Sequence, residues 1–116
     1  KGKSSCAGIA VPQGHFPSQH YSGYCQFLCS TLARMGAVVF TYDMFAYAGT
    51  ESELQFESKE HKTPFATRIQ IWNCQRAVDF LLSLSEVDQD RIAMTGCSGG
   101  GTQTFISTAL DDFIKP

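Results

Sequence analysis

The strongest chemical pattern in the sequence is a serine among glycines, in the run Gly96-Cys97-Ser98-Gly99-Gly100-Gly101. The run contains G-x-S-x-G, with an apolar stretch before it that predicts a strand and an amphipathic stretch after it that predicts a helix. A serine on so tight a turn has a strained backbone, and its neighbours two positions away must lack a Cβ for the chain to pass. The turn lifts the hydroxyl out of the sheet and directs the first amides of the helix at any anion that forms beside it. The pattern predicts a nucleophilic Ser98.

A phosphate-binding loop is the first alternative for the same segment. The P-loop pattern places a glycine five residues before Gly-Lys-Ser/Thr, and Gly96 and Gly101 have that spacing. Thr102 stands where the lysine is needed, so the nucleotide-binding interpretation lacks its cation. A glycine-rich turn that holds a phosphate, or no ligand at all, stays open as the structural alternative.

A cysteine nucleophile at Cys97 is the second alternative. It would shift the pattern by one residue and place Thr95 and Gly99 in the flanking glycine positions. Thr95 carries a branched side chain and does not fit there. Ser98 is therefore the preferred nucleophile.

A second candidate feature is the turn at Gln13-Gly14-His15-Phe16, which follows a predicted strand. A strand that ends in a glycine-containing turn can present a backbone N–H to a neighbouring nucleophile, and His15 is the candidate donor. An ordinary polar loop residue is the alternative for His15. It does not fit as the catalytic base, because a base must reach the serine hydroxyl whereas this loop faces the oxyanion side.

The elements that position these residues alternate along the chain. Strands are predicted at residues 6–11, 37–42 and 91–95, and helices at 24–35, 67–84 and from just after Ser98 to about 110. Ser22 is the expected N-cap of the first helix, and Gly36 is expected to end it in a left-handed conformation. The middle strand is a continuous apolar run, which is typical of a strand covered on both faces. We therefore expect an α/β fold with three layers, a parallel sheet between helices.

Two connections carry separate expectations. Residues 44–66 have no clear period, and a connection of that length after a strand's carboxyl end is either an active-site loop or a surface excursion. Asp88-Gln89-Asp90 is predicted to form a polar turn into the third strand, with Asp88 tightening it. Asp43, at the end of the middle strand, is also assigned a structural role.

Composition excludes several classes of function. The chain has 116 residues, 43% of them hydrophobic, and a formal net charge of -2, which argues against disorder and against a basic nucleic-acid surface. No apolar run approaches the ~18 residues of a membrane span.

The five cysteines are an odd number without dense pairing, which favours reduced thiols and an intracellular protein. Cys25 and Cys29 share a helix face, but a zinc site would need two further ligands at short spacing, which the three histidines do not supply, so no metal is expected.

Five segments resemble the α/β-hydrolase superfamily, in the branch of acetyl xylan esterase-like, dienelactone hydrolase-like and prolyl oligopeptidase-like proteins. They are QGHF (13–16), LARMG (32–36), VFTYDM (39–44), VDQDRI (87–92) and TGCSGGGTQT (95–104). The resemblance implies that the strands are the third, fourth and fifth of the hydrolase sheet, that Ser98 is the nucleophile, and that the Gly99 and His15 N–H groups form the oxyanion hole. It implies no cofactor, and a small-molecule ester or acylated saccharide as substrate. Such families commonly have His-Gly where this chain has Gln13-Gly14. The resemblance therefore predicts the backbone role of this loop but not its side-chain contacts.

The hydrolase order of the triad is serine, then Asp or Glu, then His. All three histidines, His15, His20 and His61, precede Ser98. We therefore expect residues 1–116 to be a partial hydrolase domain, truncated at both ends, with its triad acid and base elsewhere and without activity alone. The expected reaction is hydrolysis of a carboxylic, foremost acetyl, ester. A serine peptidase of the prolyl oligopeptidase type and a non-catalytic binding module are the alternatives.

Overall fold

A computed structural model describes residues 5–47 and 64–115. A parallel sheet has the order β2-β1-β3 and consists of β1 (Cys6–Pro12), β2 (Val38–Tyr42) and β3 (Val87–Met94). The helices are α1 (Gly23–Arg34), α2 (Pro64–Ser83) and α3 (Gly99–Leu110), with a short 3₁₀ helix at Gln19–Tyr21. The predicted α/β fold with a parallel sheet flanked by helices is confirmed.

The ends of the helices follow local chemistry. The Ser22 hydroxyl accepts a hydrogen bond from the Cys25 N–H at 3.2 Å, which confirms it as the N-cap of α1. Gly36 follows α1 with φ of 95°, the left-handed conformation expected of it. α2 begins at Pro64, three residues before the predicted start. Proline is favoured at the first helical position, because its missing N–H has no intrahelical partner there.

The order of the strands decides where the loops meet. The crossover from β1 through α1 moves outward to β2, whereas the crossover through α2 returns past β1 to β3. Right-handed crossovers in opposite directions place α1 and α2 on opposite faces of the sheet. The carboxyl ends of β1 and β3 are therefore neighbours at a switch point, where α/β sheets bind ligands.

The main core lies between the sheet and α2. Its buried side chains are Ala10, Ala77, Val78, Leu81, Val87, Ile92 and Ile114. They come from β1, from one face of α2, from β3 and from the segment after α3. This packing fixes β1 against β3 beneath the ends that carry the candidate site.

The predicted polar turn at residues 88–90 is wrong, because these residues belong to β3. Cys6 of β1 pairs with Val87, but Gly8 pairs with Ile92, so the register shifts and β3 bulges between the two pairs. Within the bulge the Asp90 N–H donates to the Asp88 carboxylate at 3.1 Å. The carboxylate tightens the backbone as expected of Asp88, but inside the strand rather than before it.

The outer edge of β3 is partly covered. Ile114, after α3, forms a parallel bridge with Ile92, and the Lys115 N–H donates to the Ile92 carbonyl at 2.8 Å. The bridge therefore pairs part of the edge of β3 that faces away from β1. Of the long connection at 44–66, the structure describes residues 44–47 and the first turn of α2. Most of the segment predicted to be an active-site loop or a surface excursion lies outside the described residues.

The thiols of Cys25 and Cys29 lie 3.7 Å apart on α1 and are not joined in a disulfide. Burial, together with the neighbouring Cys25 thiol, raises the pKa of Cys29 to about 11. Because the thiolate is the nucleophile, we expect alkylation of Cys29 to accelerate about tenfold per pH unit from pH 7 to 10. Peptide mapping after timed iodoacetamide treatment measures this rate, and a rate that levels off below pH 9 would contradict it.

Candidate active site

Ser98 occupies the turn between β3 and α3. β3 ends at Met94 and α3 begins at Gly99, so four residues reverse the chain. Ser98 has φ of 56° and ψ of −124°, a conformation that side-chain-bearing residues rarely adopt. Such a conformation costs on the order of 1–3 kcal/mol and persists only where the surroundings impose it. The side chain is exposed to solvent at the carboxyl end of the sheet.

The surroundings that impose this conformation are glycine contacts. A Cβ on Gly96 would lie 2.6 Å from the Gly100 carbonyl carbon and 3.0 Å from the Pro12 carbonyl oxygen. A Cβ on Gly100 would overlap that same Pro12 oxygen. The positions two residues before and after Ser98 therefore have no room for a side chain, and the turn packs on the end of β1.

The first turn of α3 faces the loop after β1. The Gly100 N–H donates to the Cys97 carbonyl at 2.9 Å, and the Thr102 N–H donates to the Ser98 carbonyl at 3.1 Å. A Cβ on Gly99 would lie 2.5 Å from the Met44 Cε and 2.8 Å from the His15 Cε1. Gly99 thus lies beneath two side chains from the ends of β1 and β2, and Met44 adds a buried apolar wall that the sequence did not single out.

The loop after β1 lies directly beside Ser98. A Cβ on Gly14 would be 3.1 Å from the Ser98 Cβ and 2.5 Å from the Cys97 carbonyl oxygen. The Phe16 N–H donates to the Gly14 carbonyl at 2.9 Å, which closes a three-residue turn around His15. The exposed His15 ring packs edge-on to Tyr47, with ring centroids 5.4 Å apart. The structure therefore brings His15 and Ser98 to one place.

Two buried glutamines attach this loop to the rest of the fold. Gln13 is 2% exposed, and its Nε2 donates to the Thr41 hydroxyl at 2.7 Å and contacts the Cys25 thiol at 2.9 Å. Gln103 of α3 is also 2% exposed, and its Nε2 donates to the Gln13 carbonyl at 3.1 Å. Gln13, the departure from the common His-Gly pattern, therefore turns inward and connects β1, β2 and α1.

A third glutamine, Gln19, is completely buried beneath the same loop. Its Nε2 donates to the Gly14 carbonyl at 3.0 Å and the Phe16 carbonyl at 2.5 Å, and its Oε1 accepts from the Met44 N–H at 2.7 Å. Sequence reasoning missed this residue. Nothing in its local pattern distinguishes it from an exposed loop glutamine.

The remaining histidine and acid candidates form structural contacts. The Asp43 carboxylate contacts the His20 Nδ1 at 2.5 Å and accepts from the His20 N–H at 3.1 Å, which ties the 3₁₀ helix to the end of β2. Asp111 accepts from the Phe113 N–H at 2.9 Å just after α3. These contacts agree with the structural role expected of Asp43. His61 lies outside the described residues.

Residues 5–47 and 64–115 contain no group of three or more His, Cys, Asp or Glu that could hold a metal ion. Within the same residues, no helix is both long enough and apolar enough to cross a membrane.

The fold and the turn at Ser98 define an α/β-hydrolase-type sheet, and comparison with known proteins specifies it further. The family model for acetyl xylan esterase (AXE1) matches residues 59–116, half of the chain, so the chain belongs to that family. Among solved structures, the methylesterase BT1017 is 39% identical and superposes with a TM-score of 0.86 over 98% of this chain. The match covers 26% of BT1017, so the chain spans about a quarter of that protein's length. No curated protein matches this chain significantly.

Proposed function

We propose that the chain is the nucleophile-bearing part of a serine ester hydrolase. The observation that carries this proposal is the backbone of Ser98, held at φ of 56° between two glycines that have no space for a Cβ. Strain of this kind is maintained where function requires it, and here it exposes one hydroxyl at the end of a parallel sheet. The acetyl xylan esterase family and the similarity to a methylesterase support ester chemistry.

The proposed reaction has two half-reactions. The Ser98 Oγ attacks the ester carbonyl carbon while a histidine base takes the hydroxyl proton, and the alcohol then leaves with that proton. Water attacks the resulting acyl-enzyme with the same histidine as base, and the carboxylic acid departs as the Ser98 hydroxyl is restored. The negative charge on the carbonyl oxygen develops beside the start of α3 and the loop after β1. There the Gly99 and His15 N–H groups serve as the oxyanion donors.

The catalytic base and its acid partner are proposed to lie outside these 116 residues. His20, half-buried, is engaged by Asp43, and His15 packs over Gly99 on the side proposed for the oxyanion. The chain spans about a quarter of BT1017, which leaves most of a hydrolase of that size to supply both groups. The chain is accordingly proposed to be a partial domain of a longer enzyme.

The proposed substrates are small carboxylic esters, foremost acetyl or methyl esters on saccharides. The names of the matching family and of the similar structure both describe ester cleavage. Peptide cleavage and ligand binding without chemistry are the two other outcomes that the following experiment distinguishes.

A fluorophosphonate probe tests the nucleophile directly. We expect the full-length protein to be labelled covalently on the peptide that carries Ser98, because the serine oxygen displaces fluoride from phosphorus. Ser98→Ala should abolish labelling. Cys97→Ala is the matched control, since it changes the adjacent exposed residue, and it should preserve labelling. A folded, unlabelled wild-type protein would favour a binding module, whereas labelling with turnover of peptides but not of acetyl or methyl esters would favour a peptidase.

A further inference from the structure

We propose that Gln19 is a positioning residue that sets the direction of the His15 N–H; this proposal rests on the proposed function. Gln19 has no exposed surface, and the hydrogen bonds described for its side chain all go to backbone groups around the candidate site. Its two donor bonds go to the carbonyls of Gly14 and Phe16, which flank His15 in the chain. Its acceptor bond holds Met44, whose side chain covers Gly99.

The backbone of Gln19 is itself strained. Its φ of 43° lies in the left-handed region, in which a residue with a long side chain carries an energetic cost. A buried amide is costly as well unless its polar atoms are bonded, and both ends of this amide are bonded. A residue that only filled space would require neither the strain nor the polar side chain. The role of the buried Gln19 amide is therefore to hold the Gly14 and Phe16 carbonyls in place.

The geometry of the peptide bond connects this contact to the candidate oxyanion site. The Gly14 carbonyl and the His15 N–H belong to one peptide unit, and no peptide bond among the described residues is cis. In a planar trans unit the two groups point in opposite directions. The Gly14 carbonyl points inward to Gln19 and also accepts from the Phe16 N–H at 2.9 Å. The His15 N–H is thereby aimed outward, on the side of the exposed His15 and Ser98.

Loss of the Gln19 donors should act on the transition state more than on substrate binding. Without them the Gly14 carbonyl keeps the bond from the Phe16 N–H within the same short turn, so the peptide between Gly14 and His15 can tilt and its N–H direction is held less firmly. An oxyanion donor contributes most when charge has developed on the carbonyl oxygen, and removal of one such donor costs about 10²–10³ in kcat. For a donor that is misaligned rather than removed, we expect a loss of about 10–100-fold.

Two variants of the full-length protein test this inference. Gln19→Glu keeps the shape and the acceptor, but a carboxylate cannot donate to two carbonyls. Gln19→Met keeps the approximate volume without any donor or charge. We expect both to lower kcat for an acetyl or methyl ester about 10–100-fold, with KM within about threefold of the wild type. The concentration of active sites is taken from fluorophosphonate labelling run to completion. The value of kcat is then calculated per labelled serine, and misfolded protein does not enter it.

The matched control is Leu81→Ala, which truncates an equally buried side chain in the core beneath the sheet. It should lower the midpoint of urea unfolding while leaving kcat per labelled serine unchanged. Wild-type kcat in either folded Gln19 variant, an equal loss of kcat in Leu81→Ala, or unfolding of both Gln19 variants would overturn the positioning role. In each of these cases Ser98 of the wild type is still labelled. An unlabelled wild-type protein would instead refute the proposed function, and the Gln19 proposal with it.

Discussion

Ser98→Ala is expected to lower kcat of the complete hydrolase for an acetyl or methyl ester by a factor on the order of 10⁴ to 10⁶. The alanine methyl group cannot form the acyl-enzyme, so only binding and the oxyanion donors remain to accelerate direct attack by water. KM should change little, because the hydroxyl contributes mainly to the chemical step. Initial rates with a chromogenic acetate ester and with an acetylated or methyl-esterified saccharide measure the effect.

The control for this variant is Ser83→Ala, at an exposed serine at the end of α2. Its hydroxyl donates only to the Phe80 carbonyl at 2.7 Å among the contacts described for it, and its loss should leave kcat unchanged. The 116-residue chain alone is expected to show no turnover, since the base is proposed to lie outside it. Robust hydrolysis by this chain, abolished by Ser98→Ala, would contradict that location of the base. More than a tenth of wild-type kcat in Ser98→Ala would contradict the nucleophile.

Gly100→Ala is expected to cause a large loss of stability. The new Cβ would overlap the Pro12 carbonyl oxygen, which belongs to the backbone of β1 and cannot rotate away as a side chain would. Relief of the clash requires α3 to separate from β1, at a cost of about 3 kcal/mol or more. Alanine is the better helix former by about 1 kcal/mol, so the net loss should be at least about 2 kcal/mol. Equilibrium urea unfolding measures it.

Gly23→Ala is the matched control for this substitution. Gly23 is also near the start of a helix, but a Cβ there would meet no atom within 4 Å. The change should be neutral or stabilise the protein by up to about 1 kcal/mol. A Gly100→Ala protein as stable as Gly23→Ala would show that the turn at Ser98 is not held against β1 as described.

The sequence was sufficient for the elements whose signals are local. Apolar runs located β1 and β2, and the caps Ser22 and Gly36 bounded α1, because each depends on a few adjacent residues. The turn at Ser98 was equally accessible, since its glycines reflect crowding that a spacing rule captures. Pro64 was an available signal for the start of α2 that the helical period alone did not use.

Other features depend on contacts between distant residues. The segment 88–90 is polar and predicts a turn, but the pairing of β3 with β1 on either side makes it a bulged part of β3. Gln103 reaches the Gln13 carbonyl across 90 positions in sequence, and Gln19 reaches Met44 across 25. Glutamine is usually exposed, so no composition or period identifies one that is buried by its partners. These residues become visible only when the chain is folded.

The glutamine contacts around the candidate site have a consequence for its behaviour in acid and base. Amide side chains do not titrate, so the donor groups of Gln13, Gln19 and Gln103 are the same at every working pH. Behind Gln103, burial raises the pKa of the Cys74 thiol and of the Tyr42 hydroxyl, and both stay neutral where an esterase works. The hydrogen bonds that these three amides make around His15 thus contain no titrating group of their own. A bell-shaped activity profile of the complete enzyme would therefore not report the loss of these amide bonds.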